Sequence, residues 1–381
     1  MILSKIAMLS VGAAMKTLWQ IVMSATLASV LCSEGQEYAG WTVGNLWTDG
    51  NPTILRSTDS GVSWSRQGIG QVADVNMSGV LAVDPLSAWV VGDPDSGYAT
   101  IYHTTNGGLT WNRMGSAAQV PNTQLRKVAI FGDSNVWAVG DGTILHSGDG
   151  GTTWANQVPA GYESFTLQGV YTPDGINVWA TGSNSNASFG VILYSSNGGL
   201  TWTPQTGGDV GLMRDINGIS GVDANSMWAM GGCTDNFGTI VLSTSNGGAT
   251  WTQQYKTVNG DGNNIYAVNS QTVWAVADTA ILLTTNGGTI WTNSVTTPDY
   301  TMGISAVDAQ QAWAVNYGMF GGGTIMRTTN GGTDWVSFTN LDGETLPDLF
   351  TVSFSPTVIP EPSSVLMLAL GLAALWGRRH R

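Results

Sequence analysis

The 381-residue chain has a formal net charge of −13, 42% apolar and 10% charged residues, and carries 51 Gly and 17 Trp. Too few charges for a coiled coil and too many apolar residues for a mostly disordered chain leave a globular body. The negative balance argues against nucleic acid as a partner, since phosphate binding needs clustered Lys and Arg. From the N-terminus, residues 1–32 read as an export signal: Lys5 and Lys16 supply positive charge, and Leu18 to Cys32 is largely apolar with small residues near its end. Met15 offers a second start that still leaves a complete signal, and cleavage is expected near Cys32 and Ser33. Lipidation of Cys32 is disfavoured by the bulky Leu31 before it. Past the signal the single cysteine is Cys233, so no intramolecular disulfide is available to an exported body.

From Trp41 onward the chain repeats. The phrase Ser/Thr-x-Asp/Asn-x-Gly-x-x-Trp occurs seven times, ending at Trp64, Trp111, Trp154, Trp202, Trp251, Trp291 and Trp335, at intervals of 40 to 49 residues. Earlier in each unit stands a second Trp, at 41, 89, 137, 179, 228, 274 or 313, preceded in most units by an apolar run such as Lys127-Val128-Ala129-Ile130. Another apolar run, such as Thr143-Ile144-Leu145-His146, leads into the boxed phrase. Three β-prone runs plus the stretch from the box Trp onward make four short strands, A to D from the inside outward. Four strands in about 45 residues is the size of one propeller blade. The first unit opens with strand B at Trp41, and Leu349 to Phe354 supplies the missing strand A after the seventh box. The prediction is an all-β fold, a single seven-bladed β-propeller over residues 33–357, with four-stranded antiparallel blades and the C-terminal strand completing the first blade.

The box has a physical reason at a C–D hairpin. Asn-Gly or Asp-Gly gives the positive φ of a tight turn, and the side chains of Asp59, Asn106, Asp149, Asn197, Asn246, Asn286 and Asn330 can bond nearby backbone amides. The Trp that follows is expected to pack into its own blade. The phrase resembles the Asp-box (BNR) repeat of sialidases, some glycoside hydrolases and the photosystem II assembly propellers, and with the Trp-x-Val-Gly phrase it is most similar to the last group. Asn stands for Asp in five of the seven boxes, which keeps the turn and removes charge. The resemblance implies that the boxes are structural and lie far from any active centre.

With boxes on the C–D turns, the B–C and D–A loops share the opposite face around the central channel, where propellers usually carry ligand contacts. Candidate ligand residues there are Trp47, Asp49, Asp93, Asp95, Tyr98, Tyr162, Glu163, Arg214, Asp215, Asp235 and Tyr317, an acidic and aromatic set. Trp47 is the one body tryptophan outside the repeat register, either an exposed ring for stacking on a sugar or a lid over the closing strand. Arg126 and Arg214, at D–A junctions, read as free of structural duty. His103 and His146 occupy equivalent strand C positions, so repeat phase accounts for both and no metal cluster is assigned. Asn259-Gly260-Asp261-Gly262-Asn263 lacks the downstream Glu of a calcium loop. A sialidase-like site would need several arginines beside a Tyr/Glu pair, whereas an inverting glycosidase needs only two carboxylates about 6.5–9.5 Å apart. No cofactor and no catalytic residue is assigned.

At the C-terminus, Pro360, Glu361 and Pro362 precede an apolar run from Val365 to Trp376, followed by Arg378, Arg379, His380 and Arg381. Twelve helical residues span roughly 18 Å against a hydrocarbon core of about 30 Å, so this short transmembrane segment is expected to act in transit. The three parts in this order resemble the PEP-CTERM sorting signal, which implies an exosortase-type sorting enzyme as partner. Basic residues at both ends leave the body outside the inner membrane. The expectation is a monomer that passes the inner membrane and periplasm to the cell surface or beyond, a non-catalytic binding or scaffold module for polysaccharide or envelope protein. The alternatives are a carbohydrate-active hydrolase with paired acids in the channel, or an assembly factor for a membrane complex. The assembly propellers carry a basic patch, for which this chain has little counterpart.

Overall fold

Each sequence repeat closes into one four-stranded antiparallel sheet. The computed structural model describes residues 37–184, 189–235, 238–318 and 322–356. The expected export signal, the expected short transmembrane segment and the sorting residues Pro360, Glu361, Pro362, Arg378 and Arg379 lie outside the described residues. Among the described residues no helix is long and apolar enough to cross a membrane. The body from Tyr38 to Ser355 forms one unit.

Among the described residues there are seven four-stranded sheets, arranged as a seven-bladed propeller. Six blades take strands A to D in chain order, as in blade 2 with Met77–Ala82, Ala88–Asp95, Tyr98–Thr104 and Asn112–Arg113. Blade 1 takes B, C and D from Tyr38–Gly44, Thr53–Ser57 and Ser65–Arg66, and its innermost strand is Leu349–Pro356, as the repeat arithmetic requires. One element was not foreseen, a hairpin of Asn340–Leu341 and Glu344–Thr345 just before the closing strand. Its turn residues Asp342 and Gly343 have φ of 55° and 87°, the two positive values that a two-residue I′ connection demands.

The apolar core lies between blades, not within them. Among the described residues there are seven hydrophobic clusters, each joining neighbouring blades. Strand B is therefore covered on both faces and reads as a continuous buried run, every residue of Tyr38–Gly44 being buried. The expectation that a box Trp packs into its own blade needs correction. The box Trp reaches back to the strand B Trp of the preceding blade: Trp111 meets Trp41 edge-on with ring centroids 5.5 Å apart, Trp154 meets Trp89 at 6.4 Å, and Trp335 meets Trp274 at 6.0 Å. Each buried Trp removes about 150–250 Å² from water, an upper bound of roughly 4–6 kcal/mol at ~25 cal/mol/Å². Two tryptophans per interface, one from each side, are what holds one blade to the next.

The boxes do what their residue types suggest. In blade 3 the Ser147 hydroxyl accepts from the Gly151 N–H at 2.8 Å and donates to Asp149 at 2.8 Å, while Asp149 accepts the Thr153 N–H at 2.8 Å. The Asn boxes repeat the pattern, Asn106 accepting the Thr110 N–H at 3.0 Å and donating to the Thr110 hydroxyl at 2.8 Å. In blade 7 the same position faces Asp334, to which Asn330 donates at 2.9 Å. A second aspartate there would repel it, so Asn is the residue that fits. The boxes of blades 2 to 7 are also stapled to the A–B turn of their own blade, as in Gly107 N–H to the Leu86 carbonyl at 2.7 Å and Gly198 N–H to the Ile176 carbonyl at 2.8 Å. Replacing Ser147 by Ala leaves the buried Gly151 N–H without its acceptor and should cost about 1–3 kcal/mol in urea unfolding. Asp149→Asn should leave the melting temperature near that of the wild type, because five boxes already work with Asn.

Candidate functional site: the channel mouth

Inner strands would turn their side chains alternately into the two flanking interfaces, but most of them carry a β-bulge at their outer end. The register slips between Met77 and Gly79, Leu125 and Lys127, Leu167 and Gly169, Gly262 and Asn264, and Thr301 and Gly303. A bulge inserts one unpaired residue and re-aims its side chain. The residues so released are Ser78, Arg126, Gln168, Asn263 and Met302, and all five line one cavity of about 190 Å³ in the channel. Blade 5 contributes Asn217 just ahead of its strand A, and the closing strand contributes Phe350 and Thr351. Gln124, Lys127 and Asn264 complete the wall, so every blade sends a group to the same place.

A chain of hydrogen bonds stitches this mouth together. Gln124 Nε2 donates to Asp93 at 2.7 Å and to the Ser78 hydroxyl at 3.2 Å. Gln168 Nε2 donates to Asn217 Oδ1 at 3.1 Å, and Asn217 Nδ2 donates on to the Gly262 carbonyl at 2.9 Å. Asn263 Nδ2 reaches the Thr301 carbonyl at 2.9 Å, and the Thr351 hydroxyl donates to the Ser78 carbonyl at 3.0 Å. Two cations share the wall. Arg126 is paired with Asp141 at 3.1 Å. The Lys127 ammonium forms neither a hydrogen bond nor an ion pair among the described residues, and burial in the channel pushes it down to a pKa of about 8. Met302 and Phe350 supply an apolar patch, with Tyr317 stacked against Phe350 at 6.4 Å and 22°.

The structure brings only part of the predicted set to this mouth. Asp93 and Asp215 anchor its amides, and Tyr317 backs Phe350. Trp47 is not an exposed ring: it is 3% accessible, sits in the cluster between blades 7 and 1, and carries Arg66 over its face at 4.4 Å. Its neighbour Asp49 pairs with Arg66 at 2.9 Å, and hydrogen bonds from Arg66 and the Asn51 amide hold its carboxyl down to about 2. The lid reading is the one the geometry supports. Asp95 and Tyr98 close on Arg113, at 2.7 Å and 3.8 Å. Glu163 accepts from the Gly161 N–H at 2.8 Å within its own turn, and Tyr162 packs on Phe165 at 4.8 Å. Asp235 pairs with Lys256 at 2.6 Å.

Two further expectations change. Arg126 and Arg214 are not free, since Arg214 bridges Asp215 at 2.9 Å and Asp261 at 2.7 Å. The lining of the mouth is amide and cationic, with the carboxylates around it engaged by amides and arginines. His103 and His146 stack on Trp89 and Trp137, at 4.1 Å and 4.6 Å, where burial lowers both below the usual histidine range. Among the described residues no cluster of His, Cys, Asp and Glu could hold a metal. A second hollow, of about 340 Å³ between blades 5 and 6, is lined by Asp278, Tyr255 and Tyr300. Desolvation, followed by the charge of Asp261, raises the Asp278 carboxyl above its ordinary value.

Sequence reasoning missed Gln124, Lys127, Gln168, Asn217, Asn263, Met302 and Phe350. For Gln168, Asn217 and Met302 the signal is a residue placed just before Gly in an apolar run, a pattern that Ser78-Gly79 shares. The glycine is needed where the bulge brings two strands together: a Cβ on Gly79 would stand 2.5 Å from the Arg126 carbonyl oxygen.

Fold and repeat together define a closed, seven-bladed Asp-box propeller. The chain belongs to the family of the photosynthesis system II assembly factor YCF48, whose sequence profile matches residues 13–165 and 97–231. The PEP-CTERM protein-sorting motif matches residues 358–381, which marks the chain as exported and implies an exosortase-type processing partner. No curated protein matches it. Among solved structures it is similar to YCF48 bound to a D1 peptide, at 17% identity and TM-score 0.55 over 74% of this chain and 87% of that one. It is also similar to YCF48 from Cyanidioschyzon merolae, at 19% identity and TM-score 0.51 over 71% and 86%. A protein from Lactobacillus plantarum superposes with TM-score 0.57 at 10% identity over 84% and 99%. At these identities the likeness concerns the fold alone.

Proposed function

We propose that the chain is an exported, non-catalytic binding propeller that holds a polysaccharide or envelope protein at its channel mouth, on the cell surface or outside the cell. The observation that carries this reading is the set of five bulges that aim side chains from separate blades at one cavity. A fold spends such irregularities where groups must converge. The sorting motif supports passage through the inner membrane, with residues 1–32 as the export signal. The solved YCF48 with a D1 peptide supports a protein partner as one kind of ligand. The amide-rich lining favours a polymer dense in hydroxyl groups.

Calorimetric titration of the purified full chain with a panel of bacterial exopolysaccharides and envelope proteins tests this. Gln168→Leu and Phe350→Ala should weaken binding about tenfold or more. Leu109→Asp and Leu200→Asp, exposed at the box turns, should leave it unchanged. Equal loss from both sets, or no binding, overturns the proposal. The hydrolase alternative needs paired acids in the channel; turnover of the same polysaccharides would favour it instead, and Asp278, raised by burial and by the charge of Asp261, is the carboxyl to test first with Asp278→Asn.

A further inference from the structure

We infer that the channel mouth is built to take a carboxylated sugar residue, a uronate of an acidic polysaccharide, with Lys127 receiving its carboxylate; this rests on the binding reading above. Three features of the cavity select that chemistry. First, two of the lining amides already donate to protein acceptors: Gln124 Nε2 to Asp93 and Ser78, and Gln168 Nε2 to Asn217. Their carbonyl oxygens accept no bond among the described residues, so these two lining side chains offer acceptors to whatever enters. A ligand that suits them brings donors, and ring hydroxyls are donors.

Second, the free charge in the wall is a single ammonium. Arg126 is engaged by Asp141, with its Nε at 3.1 Å and one Nη at 3.5 Å from the carboxylate, whereas Lys127 has no counter-ion among the described residues. A phosphate or sulfate group presents three terminal oxygens, more than a single unpaired ammonium satisfies. A carboxylate needs one point charge, which Lys127 supplies. Third, Met302 and Phe350 form an apolar strip on the same wall, suited to the C–H face of a pyranose ring. The cavity is about 190 Å³, below the ~300–1,000 Å³ of a pocket for a drug-sized ligand. It therefore takes one ring, and the remainder of the polymer runs over the rim.

Titration of the full chain with a hexameric oligogalacturonate, beside neutral maltohexaose, inorganic phosphate and acetate, tests the inference. The acidic oligomer should bind at least about tenfold more tightly than the neutral one. Lys127→Met should lose about tenfold or more for the uronate while melting at or above the wild-type temperature, and Lys127→Arg should retain binding. Unchanged uronate affinity in Lys127→Met overturns the inference. So does maltohexaose binding as tightly as the uronate through Gln168 and Phe350, an outcome that leaves the binding reading standing. Tighter binding of phosphate than of oligogalacturonate overturns the sugar assignment. If neither oligomer binds and the whole polysaccharide and protein panel also fails, the binding reading falls with it.

Discussion

A chain truncated after Thr345 should lose on the order of 5 kcal/mol or more of stability, since several core side chains leave together and each costs about 2–5 kcal/mol when truncated singly. Leu346, Leu349, Val352 and Phe354 all belong to the cluster between blades 7 and 1. Phe354 lies flat on Trp313 at 3.7 Å and 12°, and meets Trp64 edge-on at 5.8 Å. The strand also reaches three blades through hydrogen bonds. Phe354 N–H donates to the Ser305 hydroxyl at 3.1 Å, the Thr42 hydroxyl donates to the Thr351 carbonyl at 2.8 Å, and Ala82 N–H donates to the Ser353 hydroxyl at 3.0 Å. Without it, strand Tyr38–Gly44 becomes an open inner edge, the liability a closed ring exists to avoid. Gly40 has been shaped to this strand, as a Cβ there would stand 2.2 Å from the Phe354 ring. Phe354→Ala alone should cost about 3–5 kcal/mol. Urea unfolding monitored by tryptophan fluorescence reads both, and a synthetic 346–356 peptide should restore part of the lost transition. An unchanged midpoint in the truncated chain would show that the seam holds without the strand.

This seam was readable from residue order alone: a first repeat that starts at strand B leaves one strand owing, and Leu349 to Phe354 is the run that can supply it. The tryptophans were readable as core because their phase is fixed, yet not which blade they join, since spacing along the chain says nothing of the neighbour across an interface. Trp47 shows the limit sharply. Off register and beside Asp49, it carries the sequence marks of a ligand contact, and only the fold puts it under Arg66 in the closing seam. The channel residues were hidden for another reason. Alternation within Thr166–Tyr171 gives one facing for Gln168, and the bulge between Leu167 and Gly169 gives another. A bulge is a property of the strand pair, so one strand's sequence does not declare it. The hairpin at Asp342-Gly343 is declared by its Asp-Gly pair, although the repeat arithmetic closes without it.

Lys127→Met should stabilise the protein at pH 7, and the gain should vanish by about pH 10.5, where an unfolded lysine also loses its proton. The sign follows from the direction of the shift. Burial lowers the Lys127 pKa from 10.5 to about 8, so between those values the unfolded chain holds a proton that the folded chain has released. Stability of the wild type therefore rises with pH across that window, and below it the protein carries the full cost of a desolvated ammonium. Taken at 1.36 kcal/mol per unit the ceiling is about 3 kcal/mol, and water in the channel reduces it to roughly 1–3 kcal/mol. Tyr102, Tyr171, Tyr255 and Tyr266 have hydroxyls raised by burial, which lowers the stability of both proteins above pH 10. The difference between wild type and variant cancels that contribution. Methionine keeps the length and apolar stem of the lysine, so the comparison isolates the charge. Urea midpoints from pH 7 to 10.5 would measure it, and a difference that is absent or independent of pH would refute the assignment. The pH at which the gain begins to fade reads the folded-state pKa of Lys127, and an anion bound beside it should move that pH upward.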